Sequence, residues 1–162
     1  MKKLLVLGAT ALLLTGCSEA PVNTKPVAYI LPTDCNIQEL VALDPSFEVL
    51  DKTEDGVEDS RDCAIGVANS DVGIFFGYSI RSREQWLAQT KKLASEGYKK
   101  WESGIADAEV WRQDAGTIEG GTSCSISGYV PGIGFSVTEP WVECDDKWNK
   151  KLVGYLVAKV KQ

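Results

Sequence analysis

Apolar and polar positions alternate with two different periods along this chain. Cys63-Ala64-Ile65-Gly66-Val67-Ala68 and Val72-Gly73-Ile74-Phe75-Phe76-Gly77-Tyr78-Ser79-Ile80 alternate with period two. That is the signature of half-buried strands, and Val72, Ile74, Phe76, Tyr78 and Ile80 share one face. Asn69-Ser70-Asp71 between them is turn chemistry. Ser123–Val130 and Ile133–Thr138 repeat the pattern around Pro131-Gly132, which suits the centre of a type II turn. Ala108–Gln113 reads as a further strand, and Phe47-Glu48-Val49-Leu50 as a short edge strand.

Helical spacing appears three times. Thr33 or Asp34 can cap a short helix over Asp34–Leu43, with Ile37, Leu40 and Val41 as its stripe and Pro45 beyond its end. Ser82-Arg83-Glu84-Gln85 is a capping box. From it, Trp86, Leu87, Thr90, Leu93, Ala94, Gly97, Tyr98 and Trp101 recur at helical spacing, and Gly104 follows. Asp145 or Asp146 starts a helix carrying Trp148, Leu152, Tyr155, Leu156 and Val160. The expected order is α-β-β-β-α-β-β-β-α. The expected fold is α+β: an antiparallel sheet with helices packed on one face.

The first residues fit none of this. Met1-Lys2-Lys3, an apolar run from Leu4 to Leu14, and Leu14-Thr15-Gly16-Cys17 form a lipoprotein signal. The run is too short for a spanning helix, which needs about twenty residues. Residues 1–16 are expected to be removed, leaving Cys17 with a diacylglycerol and the protein lipid-anchored outside the cytoplasm. Two or three acyl chains hold firmly, because each buried methylene contributes about 0.8 kcal/mol. The outer face of the cell membrane is the expected place, or the outer membrane in a two-membrane bacterium. Residues 17–27 read as lipidated cysteine and tether. The nine residues from Ser18 to Pro26 reach roughly 30 Å when extended. Residues 28–162 are expected to form one globular domain.

In an oxidising compartment the remaining cysteines, Cys35, Cys63, Cys124 and Cys144, imply two disulfides. Three pairings exist. Cys35–Cys63 and Cys124–Cys144 close the short loops and are expected. A metal at these cysteines is disfavoured by wide spacing and the absence of histidine.

Without residues 1–16 the chain carries 15 bases and 23 acids, a net charge of −8, a poor match for nucleic acid. The charge is segregated. Asp34–Asp62 holds ten acids and two bases, while Arg83–Trp101 and Asp145–Gln162 are each net +3. One reading is a basic helical side toward anionic lipid and an acidic side toward a partner; the other is ordinary solvated faces. Asp51, Thr53, Asp55, Asp59 and Asp62, with Gly56, fall at the oxygen-ligand and glycine positions of a calcium-loop frame. Thr53, Asp62 and Glu58 depart from that pattern, so a solvated acidic connector is the alternative. Ser123, Ser125, Ser127, Ser136 and Thr138 share the outer face of the last hairpin, where hydroxyls can bind glycan or line a groove. Trp101, Trp111 and Trp141 are candidate stacking platforms. Catalysis lacks its usual parts: no histidine for a nucleophile's base, no Walker loop, no dinucleotide fingerprint and no nucleophile elbow. The expectation is a non-enzymatic, cofactor-free accessory lipoprotein, associating with a membrane protein complex. The rival is a carrier or sensor of lipid or glycan.

The order of Cys17, Cys35, Cys63, Cys124 and Cys144 resembles a family of small cell-envelope lipoproteins of high-GC Gram-positive bacteria, of unassigned function. That family's Asp-Pro-Cys is Thr33-Asp34-Cys35 here, and Ile65 replaces its usual aromatic two residues after the second cysteine. The resemblance implies a PsbP- or Mog1-like α+β sandwich without known catalysis.

Overall fold

A computed structural model of the protein describes residues 27–35, 37–43, 49–67, 73–114, 123–140 and 144–162. The signal, Cys17, the tether to Pro26, Phe47, the Asn69-Ser70-Asp71 turn, the Gly116–Gly121 loop and Trp141 lie outside these residues.

The elements are α1 (Ile37–Val41), β1 (Val49–Val57), β2 (Ser60–Val67), β3 (Gly73–Ile80), α2 (Arg83–Ser95), β4 (Lys99–Trp101), β5 (Glu109–Asp114), β6 (Ser123–Val130), β7 (Ile133–Pro140) and α3 (Asp146–Val160). The expected order holds, with the three-residue β4 added. All seven strands form one antiparallel sheet, ordered β1-β2-β3-β7-β6-β5-β4.

Period-two alternation gives the sheet two unlike faces. Cys63, Ile65, Ile74, Phe76, Tyr78, Val110, Ile126, Phe135 and Val137 join the main core with α1 and α3. Leu152, Val153, Leu156, Val157 and Val160 of α3 supply the opposing layer. Both expected disulfides are present and both attach to this core face. Cys35, ahead of α1, bridges to Cys63 on β2, and Cys144, ahead of α3, bridges to Cys124 on β6. Their Cα atoms are 6.0 and 5.0 Å apart.

Helix α2 differs from the expected one-sided packing. Trp86 and Leu93 form a second, separate cluster with Tyr129, beside Tyr98 and Trp111. Tyr129 and Trp111 alternate with Val130 and Val110, so α2 sits on the opposite face. The indole of Trp86, wholly buried, stacks on Tyr129 at 5.5 Å between centroids. The Ser82–Gln85 capping box forms as its sequence implies. The helix ends at Ser95, not near Trp101, because Gly97 adopts φ +91° and turns the chain into β4. Gly132, at φ +93°, supplies the left-handed residue of the β6–β7 turn.

The chain enters beside the end of α3. Ile30 N donates to Val160 O at 2.8 Å and Gln162 N to Ala28 O at 3.0 Å. Tyr29 donates to Asp107, next to the start of β5. That start pairs with the end of β6, so Tyr29 lies at the sheet end carrying the Pro131-Gly132 turn.

Candidate functional site

Helix α2 shields only the β5–β6 part of its face. Glu109 of β5 accepts from Arg83 and, at 3.0 Å, from Trp86 Nε1, and Gln113 Nε2 donates to Glu96 O at 2.7 Å. Burial pushes the Glu109 carboxyl up, but these hydrogen bonds and the Arg83 charge outweigh it and hold it below its ordinary value. Among the described residues, no helix lies over β2, β3 and β7 on this face. An open groove follows those strands alongside α2.

The groove has two adjoining basins. The one farther from the Pro131-Gly132 turn has a volume of about 290 Å³ and is bordered by Asp55, Asp62, Ala64, Phe75, Ser136 and Thr138. The nearer one has about 280 Å³ and adds Ser60, Ser79, Arg81, Gln89 and Ser127. Asp62, Gly77 and Ser136 belong to both.

Two glycines shape the floor. A Cβ on Gly77 would stand 2.5 Å from Asp62 Oδ1, and one on Gly134 would stand 3.2 Å from Arg81 Nε. Glycine inside a strand weakens it and marks a close approach. Here it lets a carboxylate lie across β3 and a guanidinium across β7.

The sequence-predicted hydroxyls divide. Ser127, Ser136 and Thr138 line the groove. Ser123 and Ser125 are buried, and Ser125 donates to Thr138 at 3.5 Å. The aromatic candidates fall elsewhere. Trp101 lies on the core side beneath Arg112, 4.9 Å from the guanidinium, and Trp111 packs near α2. The exposed ring of the groove is Phe75, 52% accessible between Ala64 and Thr138. Its odd position in the alternating run was the signal that could have marked it.

The calcium-loop frame is a hairpin. Asp51, Thr53 and Asp55 lie on β1, Asp59 lies in the Glu58-Asp59 turn, and Asp62 lies on β2 opposite Asp55. An extended strand spaces successive same-face residues by about 6.6 Å, so the frame cannot wrap one ion as a loop does. Among the described residues, no three His, Cys, Asp or Glu side chains are grouped as metal ligands. The two basic helices lie on opposite faces of the sheet, so they do not form the single basic side that the charge pattern suggested. No described helix is long and apolar enough to cross a membrane.

One polar site is buried in the core face. Glu139, 3% exposed, accepts from Trp148 Nε1 at 2.6 Å through Oε1, and its Oε2 has no partner among the described residues. Asn149 Nδ2 contacts the Cys124 sulfur at 3.2 Å, and its Oδ1 is likewise unpartnered. Burial pushes the Glu139 carboxyl up, against the pull of the Trp148 hydrogen bond.

Comparison with protein-family models, curated proteins and solved structures finds no match to this chain.

Proposed function

We propose that this protein is a non-enzymatic binding lipoprotein of the cell envelope, held by lipid on Cys17 and presenting the groove along β2, β3 and β7 to its partner. The observation that carries the reading is the division of labour between the two sheet faces. Both disulfides, α1 and α3 consolidate one face, while among the described residues half of the other carries no helix and presents charged, hydroxyl and aromatic side chains. Uncovered polar groups on a cross-linked scaffold are arranged for recognition at low ordering cost. The signal-like start and the resemblance to envelope lipoproteins support the compartment. The accessory role in a membrane complex draws on the anchor and short tether.

Growth with a clickable fatty-acid analogue tests the anchor. The wild-type chain is expected to carry the label and Cys17→Ser to lose both label and membrane attachment. Ser136→Trp fills the groove from an exposed position. It is expected to stay anchored but to lose the envelope component that co-purifies with wild type in mild detergent. An unlabelled wild-type chain, or identical co-purification by Ser136→Trp, would contradict the proposal.

A further inference from the structure

Resting on that reading, we infer that the groove takes a neutral saccharide chain whose rings present flat C–H faces and equatorial hydroxyls. The chemistry of the lining points there. Phe75 offers an exposed ring at one end, and an aromatic face suits the apolar side of such a sugar. Asp62, Ser79, Arg81, Gln89, Ser127 and Ser136 make no side-chain hydrogen bond or ion pair among the described residues. They present acceptors and donors side by side, which matches a ring of hydroxyls that both give and take hydrogen bonds. The two basins adjoin through Asp62, Gly77 and Ser136, which gives room for successive linked units.

Other ligand classes fit less well. An acyl chain needs an apolar enclosure, whereas this groove is open and floored by Asp62 and Arg81. An extended peptide binds by adding a strand at a free edge. Here β2, β3 and β7 are interior strands whose main-chain groups are already paired. Asp55 and Asp62 stand directly opposite one another across β1 and β2. Like charges so placed destabilise a sheet, and hydroxyl donors would relieve them.

The test uses the mature, acylated protein in detergent micelles, with cellotetraose and the β-1,4-linked tetramer of N-acetylglucosamine as probes. Titration followed by calorimetry and by NMR is expected to show saturable binding of at least one tetramer. Phe75→Ala should weaken it about tenfold, the worth of one aromatic contact. Asp62→Asn should weaken it further than Leu87→Ala, an exposed change on α2. Unchanged melting temperatures for these surface variants would confirm that folding is intact. No saturable binding of either tetramer overturns the inference, as does binding indifferent to Phe75→Ala and Asp62→Asn, or preference for an extended tetrapeptide. If sugars fail while Ser136→Trp still strips the envelope component, only the saccharide occupant is lost. If both fail, the groove itself is not the recognition surface.

Discussion

At the scale of single residues, the costly groups are the informative ones. Glu139 is buried with one oxygen unpartnered among the described residues, and burial disfavours its charged form. A carboxyl whose folded pKa is raised holds its proton more tightly when folded. Its contribution to stability is therefore fullest below the ordinary glutamate value and is lost as pH rises through the raised one. Glu139→Gln keeps an acceptor for the Trp148 indole and removes the charge. It is expected to be more stable than wild type at pH 7 and to lose the decline in urea midpoint that sets in as pH rises above the ordinary glutamate range. A variant less stable than wild type at pH 7 would show that the ionised carboxylate has a good partner. None of this was legible in the sequence, because Glu139 sits at the end of an alternating run whose inward face looked complete at Val137. Phe75 was legible: the alternation that put Phe76 inside put Phe75 outside.

At the scale of elements, local signals succeeded where they were mechanical. The capping box at Ser82 and the turn glycine at Gly132 form as their chemistry requires. Patterns open to two periods misled. The run Gly97-Tyr98 to Trp101 continues the helical spacing of α2, yet Gly97 ends the helix and Trp101 belongs to β4. The acidic run Asp51–Asp62 hides a hairpin because charged residues are ordinary on an edge strand. Helix α2 is held to its face chiefly by Trp86, stacked on Tyr129 and donating to Glu109. Trp86→Ala is expected to cost about 3 kcal/mol and to expose the backbone amides of α2 to hydrogen exchange first. Uniform exchange across α2 and α3 would contradict the separate α2 cluster.

For the whole molecule, the antiparallel sheet and the helix order were readable because hydrophobic periodicity is local. Which face each helix covers was not, since either side of a strand can receive a helix. That choice creates the groove: α2 over β5 and β6 leaves β2, β3 and β7 without a helix over them among the described residues, while α1, α3 and both disulfides occupy the other side. Arg81 lies at the end of the groove next to the Pro131-Gly132 turn, where its backbone N donates to Gly132 O, and Phe75 lies toward the other end.

The most direct test of this arrangement is thiol footprinting on intact cells with a membrane-impermeant maleimide. Lys91→Cys, on the exposed side of α2, should react on intact cells, and Ser136→Cys should react there markedly more slowly than in the purified protein. Labelling of neither variant until the cells are broken, or equal reactivity of Ser136→Cys in both settings, would contradict the proposed extracytoplasmic, occupied groove.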